Sequence, residues 1–266
     1  MTHVRPPAVV GAFYPGDPAE LSAVVDRLLG NAALPTGTPP KALIAPHAGY
    51  IYSGATAALA YALLTPLRRQ ITRVVLLGPT HRVAVDGLAL PESTSFATPL
   101  GQVPLALEAM DKLRDLPQIV FSDRVHAQEH SLEVHLPFLQ RQLDNFALLP
   151  LAVGHARPED VAEVLDRLWG GPETLIVVSS DLSHFLPYAQ ANRVDDETCR
   201  QILHLDTTIQ PQQACGAFPI NGLLLAARRR GLSPQLLQRC NSGDTAGDRN
   251  RVVGYAAFAF RENDHV

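Results

Sequence analysis

The chain has 266 residues, 46% apolar and 18% charged, with 22 basic against 26 acidic side chains and a net charge of −4. That length and apolar content suit one large α/β domain or two small ones, and the charge balance excludes a basic footprint for nucleic acid or an anionic membrane. Three cysteines without C-x-x-C spacing, Cys199, Cys215 and Cys240, fit a reducing compartment with no structural disulfides.

The opening stretch MTHVRPPAVVGAFYPG has no apolar signal core, and no apolar run approaches the ~20 residues of a membrane span, so a cytoplasmic location is expected. GDPAELSAVVDRLL starts the first helix, with Asp17 at the N-cap, Pro18 at N1 and Glu20 at N3. The stretch LPTGTPPK, 34–41, is too short to separate domains and links this helix to a strand at 41–45, KALIA. A helix at 53–64 precedes a strand at 73–78, RVVLLG. Short strands near 85–90 and 118–121 flank a helix at 104–115. Residues 130–143 read as a helix that Pro137 kinks or breaks. Strands at 147–153, ALLPLAV, and 174–179, TLIVVS, bracket a helix in HARPEDVAEVLDRLWGG, opened by Pro158 and stopped by Gly170 and Gly171. Helices at 191–205 and 216–230, a short strand near 236–240 and a strand at 252–260 follow. Arg228, Arg229 and Arg230 sit at a helix end, where cations complement the dipole. Near-continuous apolar strands are the mark of a sheet covered on both faces. The expected fold is α/β: a single three-layer α/β/α domain over 1–266 with a mostly parallel central sheet.

Three of these strands end in similar chemistry. The first runs into His47, the second into His81, and the third into Asp181 and His184. In open α/β sheets ligands collect outside the carboxyl ends of the strands, so parallel neighbouring strands would bring these four residues together. Gly49, and Gly78 with Pro79, let the chain turn beside such a site. Neutral imidazole is the commonest protein ligand for a transition metal, and two histidines from separate strand ends are a natural start to a metal site. Any one of them alone reads better as a loop residue; the repetition is the signal. Cys240 also stands at a strand end, before the turn Asn241-Ser242-Gly243-Asp244, and reads as a third ligand, a nucleophile or a small core cysteine. Cys199 and Cys215, in helical stretches, read as core residues. In AQEHSLEVHLPFLQRQL, His130 and His135 lie about 140° apart around a helix and cannot easily chelate one ion. His130 and Glu133 share a helix face; they read either as groups behind the ligands or against the substrate, or as a local ion pair. Tyr50, Tyr52 and Ser53 line the pocket or fill core and capping roles. His126, His155 and His204 are assigned to surface or structure.

The segments APHAGYIYSG, LLGPTH, EHSLEVHLPFL, SSDLSHF and CNSGD, with the opening RPPAVVGAFYPGDPAEL, resemble the Memo family, whose bacterial members are called the B protein of the AmmeMemoRadiSam system. The resemblance runs from about residue 5 to the final strand. It implies a fold shared with class III extradiol ring-cleaving dioxygenases, which hold Fe(II) with two histidines and a carboxylate. By motif, His47 and His81 correspond to the metal histidines, Cys240 to the carboxylate position, and His184 with Asp181 to the acid/base region; Asp244 lies in the same CNSGD segment. A thiolate in place of a carboxylate would retune iron or favour copper or zinc. The resemblance thus implies a metal-dependent, dioxygenase-like oxidoreductase with Fe(II), acting on a small and possibly aromatic molecule. It also implies AMMECR-type and radical SAM proteins as partners. Two other expectations stay open: a peptide- or phospho-ligand-binding module on a retired enzyme fold, and a zinc-dependent hydrolase.

Overall fold

The computed structural model describes residues 3–32 and 38–262; half of the 34–41 linker, residues 34–37, lies outside them. Among the described residues the strands are β1 (Val4–Arg5), β2 (Ala42–Ala45), β3 (Arg73–Pro79), β4 (Leu88–Leu90), β5 (Ser95–Thr98), β6 (Gly101–Pro104), β7 (Ile119–Phe121), β8 (Ala147–Val153), β9 (Thr174–Ser179), β10 (His184–Leu186), β11 (Leu232–Asn241) and β12 (Val252–Glu262). The α-helices are α1 (Pro18–Gly30), α2 (Tyr50–Ala62), α3 (Leu107–Asp111), α4 (Asp123–Ala127), α5 (Leu136–Gln142), α6 (Pro158–Leu168), α7 (Tyr188–Leu203) and α8 (Ala217–Arg229).

Nine strands form one sheet in the order β10-β12-β2-β9-β3-β8-β4-β7, with β11 also paired to β12. At its centre β2, β9, β3 and β8 run parallel. The flanks are antiparallel, β12 to β2 and β4 to β8, so the expected parallel sheet is the middle of a mixed one. The four central strands are buried almost end to end because helices cover both faces. On one side α1, α2 and α5 pack together, with α2 over β2, β11 and β12; α6 and α8 pack together, with α8 over β3 and β9. Each fully buried aliphatic side chain in these runs contributes roughly 1.5–3 kcal/mol relative to exposure. A separate small sheet joins β1, β5 and β6.

The first helix starts as its sequence dictates: the Asp17 carboxylate accepts from the Glu20 N–H at 2.9 Å and Pro18 takes the first turn. The expected helix at 104–115 shrinks to Leu107–Asp111. The expected helix at 130–143 becomes a 3₁₀ turn, Glu133–His135, followed by α5. Pro137 sits in the first turn of α5, where its missing N–H costs nothing, so it starts a helix and kinks none. His130 therefore precedes the helical segment, and its expected shared helix face with Glu133 does not exist. Gly49 has φ −54°, open to any residue, so its expected turn-making role is not needed.

The register sets the functional end of the molecule. Ala45 pairs with Ser179 and Leu77 with Val178. The carboxyl ends of β2, β9 and β3 therefore lie side by side, and the loops that leave them meet.

Candidate metal centre

His47 leaves β2 through Pro46 and is 1% exposed. The Asp181 carboxylate, from the loop after β9, accepts the His47 backbone N–H at 2.9 Å. The His47 ring places Nδ1 2.6 Å from Ser179 Oγ. Ser179 spends its one hydroxyl proton on the Ser131 carbonyl, at 2.6 Å. It can only accept from His47, so Nδ1 carries the ring proton and Nε2 keeps its lone pair. Burial, and then the neighbouring imidazoles of His81 and His130, hold the His47 pKa well below the ordinary histidine value. The ring is neutral at pH 7, the form that ligates.

His81 follows β3 and Pro79. Its Nδ1 lies 2.8 Å from Glu129 Oε1, and its backbone N–H donates to Glu129 Oε2 at 2.5 Å. Oε1 also accepts from the backbone N–H groups of His130 and Ser131, each at 3.0 Å, and stands 3.4 Å from His130 Nδ1. Burial pushes the Glu129 carboxyl up, but the bonds from His81 and the nearby backbone outweigh it and bring its pKa down to about 2. An ionised carboxylate only accepts, so His81 donates from Nδ1 and presents Nε2. The turn bearing His130 reaches the sheet because residue 78 is glycine. A Cβ there would lie 2.8 Å from Ser131 Oγ and 2.9 Å from Leu132 Cδ2. Phe13 packs on the His130 ring at 4.8 Å between centroids. Burial, with His81 next, takes the His130 pKa down to about 4.

His47, His81 and His130 each offer a nitrogen, and all three nitrogens lie within 4.8 Å of one another. Among the described residues this is the only such group of three or more histidine, cysteine or acidic side chains. Its members come from three loops far apart in sequence. Three imidazoles with a carboxylate behind two of them match the donor set of a first-row transition metal.

Cys215 is the sulfur beside this group. It lies just before α8, outside the helix, with Sγ 3.5 Å from His47 Nε2. The Asp181 backbone N–H donates to it at 3.3 Å. Gly216 makes this approach possible: a Cβ there would stand 2.6 Å from Ser180 Cβ and 2.7 Å from the Ser179 carbonyl oxygen. Burial, and then the Asp181 charge, push the Cys215 thiol up, so it is protonated without an ion. A nitrogen at about 2.0 Å and a sulfur at about 2.3 Å from one tetrahedral ion are about 3.5 Å apart, the spacing found here.

His184 donates from Nδ1 to the Leu182 carbonyl at 2.8 Å and so also presents Nε2. Asp181 is 4% exposed; burial raises its carboxyl to about 6 against the opposing pull of His184. A cavity of about 660 Å³ opens here, lined by His81, His184, Leu186, Val194, Pro211, Gln212, Gln213 and Cys215.

Other sequence candidates lie elsewhere. Cys240 is in β11 opposite Tyr255, with Sγ 3.1 Å from Thr56 Oγ1 of α2. It is at the correct end of the sheet, but β12 separates its strand from β2, about 10 Å at ordinary strand spacing. The three-histidine group includes neither Cys240 nor Cys215, but only Cys215 has its sulfur within 3.5 Å of a member's ring nitrogen. Glu133 is fully buried and accepts from Arg5 Nη1 at 2.5 Å, Tyr14 OH at 2.5 Å, and the Ala8 and Val9 N–H groups at 2.7 and 3.0 Å. It anchors the N-terminal segment. Tyr50 donates to the Val134 carbonyl at 2.7 Å and packs with Phe138, a core role. Asp244 accepts from Tyr188 OH at 2.6 Å and from the Asn241 N–H. His126 is buried, its Nε2 2.9 Å from the Ala89 carbonyl. Sequence reading passed over Glu129 and Cys215. The available signals were the acid just before His130, and a Cys-Gly pair immediately before a helix start.

No helix among the described residues is long and apolar enough to cross a membrane. A profile of Memo-like proteins matches residues 5–259. A MEMO1 family protein of Aquifex aeolicus is 36% identical over 270 residues, covering 97% of this chain and 99% of that one. One from Sulfolobus acidocaldarius is 34% identical over 282 residues with the same coverage. A crystal structure of an uncharacterized protein from Escherichia coli K12 superposes with a TM-score of 0.49 at 11% identity, covering 82% of this chain and 98% of that one. With the motif loops gathered at one end of the sheet and likeness along almost the whole length, the chain belongs to the Memo family.

Proposed function

We propose that the protein is a metal-dependent, dioxygenase-like oxidoreductase that acts on a small apolar molecule. The observation that supports this most directly is the convergence of His47, His81 and His130, with the His47 and His81 rings hydrogen-bonded on their far sides to Ser179 and Glu129. His47 and His81 would hold the ion with His130. Cys215 is the neighbouring sulfur, in place of the Cys240 that sequence alone suggested. Fe(II) suits imidazole donors with open positions; copper and zinc suit the same donors with a thiolate. Bound there, the metal would supply Lewis acidity and, as iron, access to dioxygen chemistry.

The chain's own groups account for the rest. His184 Nε2 is free to take a proton from a substrate hydroxyl, because Nδ1 is engaged with the Leu182 carbonyl. Asp181, with its carboxyl near 6, stabilises the imidazolium that forms. Leu186, Val194 and Pro211 line the cavity with hydrocarbon, and Gln212 and Gln213 add neutral hydrogen-bonding groups. Among the described residues no lysine or arginine lines it, which favours an uncharged ring over a phosphorylated peptide.

The test is metal content and turnover together. Protein reconstituted anaerobically with Fe(II) is expected to consume oxygen with neutral hydroxylated aromatics. His81→Ala is expected to lose both metal and activity. His184→Ala is expected to keep metal and lose at least about a hundredfold in rate, the usual scale of general acid–base catalysis. Wild-type protein that binds no iron, or oxygen consumption indifferent to His184, would overturn the reading.

A further inference from the structure

We propose that Glu129 is the positioning residue of this centre: one carboxylate presets His81 and His130 as ligands and locks their two loops together. The inference rests on the metal-centre reading above.

The carboxylate is 2% exposed and its hydrogen bonds all go to the two ligand-bearing segments. His81 donates twice, from its backbone at 2.5 Å and from Nδ1 at 2.8 Å. His130 and Ser131 donate from their backbones at 3.0 Å each. Thus His81 is bound to a turn 48 residues away in sequence, and its ring can neither rotate nor change tautomer without breaking a charge-assisted bond. Ser131 extends the same control to the third ligand, since its carbonyl takes the Ser179 proton and thereby fixes His47. All four donors to Glu129 are N–H groups of the two ligand-bearing segments, with no lysine or arginine among the described donors. A negative charge is therefore held just behind the imidazoles, where a dication on their far side would balance it. A carboxylate in this position also makes the imidazole a better donor. Glu133, three residues on, takes no part: its carboxylate is spent on Arg5, Tyr14 and the N-terminal backbone.

Glu129→Gln isolates the effect, because it keeps shape and removes one acceptor. An amide NH₂ would face either the His81 backbone N–H or its Nδ1–H. The first breaks the backbone bond that holds the His81 segment, and the second also sets the amide against the His130 and Ser131 N–H groups, so either loosens the link between the two loops. Glu129→Asp keeps the acceptor but is one methylene shorter.

The experiment is titration of the purified full chain with Co(II), read by visible absorption and by competition with a chelator. Wild-type protein is expected to bind Co(II) with a well-defined visible spectrum. Glu129→Gln is expected to bind 10–100-fold more weakly, the range for loss of such a partner, with altered bands, while its metal-free circular dichroism matches wild type. Glu129→Asp is expected to recover most of the affinity. If Glu129→Gln does not fold, Glu129→Asp decides by its spectrum, which is expected to differ from wild type. Full wild-type affinity and bands in the folded variant would overturn the positioning role. Failure of wild-type protein itself to bind Co(II) would instead overturn the metal-centre reading.

Discussion

Cys215 and Cys240 differ in what their sulfurs touch, and the difference is measurable. Cys215 Sγ lies 3.5 Å from the Nε2 that His47 leaves free, whereas Cys240 Sγ meets the Thr56 hydroxyl. Both thiols are raised by burial, so neither is a ready thiolate by itself; an ion beside His47 would displace the proton of Cys215 only. Cys215→Ser is expected to weaken Co(II) binding by more than about tenfold, or ~1.4 kcal/mol, and to abolish sulfur-to-metal charge-transfer absorption. Cys240→Ser is expected to retain both, and to cost at most ~1 kcal/mol of stability through the Thr56 contact. Identical charge-transfer bands in Cys215→Ser protein would remove the sulfur from the site.

Among the elements, the N-terminal segment depends on a charge that its own sequence does not reveal. β1 pairs with β5 through Val4 and Arg5, and Arg5, 4% exposed, donates to Glu133 and to the carbonyls of His126 and Glu129. Glu133→Ala would leave the guanidinium buried without its anion and orphan the Ala8 and Val9 N–H groups. Breaking a buried pair from one side costs about 3–5 kcal/mol, so the denaturant midpoint should fall accordingly; a loss below ~1 kcal/mol would show that the segment is held by packing alone. The contrast with the central strands shows what was legible. ALIA, RVVLLG and TLIVVS announced themselves because burial on both faces demands unbroken apolar runs, and the histidines at their ends followed from the rule for parallel sheets. The 129–133 segment did not, since its conformation is set by partners 48 or more residues distant and its E-x-x-x-E pattern mimics a helix. Cys240 shows a related limit of sequence: a strand end identifies the end of the sheet but not the distance across it, which only the strand order supplies. Cys215 lacked a strand-end signature altogether and is delivered by a helix start pressed against Ser180.

Across the molecule, buried neutral imidazoles make stability depend steeply on acidity. His47 is held well below its ordinary value, His126 and His130 are lowered to about 4, and His135 to about 3, with burial the first cause for each. Between pH 6.5 and about 4 the unfolded chain protonates these residues while the native protein does not. The unfolded state then binds more protons, so stability falls as pH falls. Asp181 acts with the opposite sign: its folded carboxyl titrates near 6, above its unfolded value, so the native state takes up that proton first and gains stability on acidification. Buried Asp195, also raised by burial, acts in the same direction as Asp181. Four groups against two leave a net loss equivalent to two, roughly 3 kcal/mol per pH unit. Set against a typical total of about 5–15 kcal/mol, this predicts that metal-free protein loses much of its stability by about pH 4 and has an acid midpoint near there. A bound ion holds His47, His81 and His130 in their neutral form and binds the native state alone, so it should move the midpoint lower, and more so at higher metal concentration. Urea midpoints measured at intervals from pH 7 to 4, with chelator and with Co(II), give both slopes. A chelated protein whose stability is flat between pH 6.5 and 5 would mean that these rings are not buried neutral, and the same result would remove the basis for treating two of them, His47 and His130, as preformed ligands.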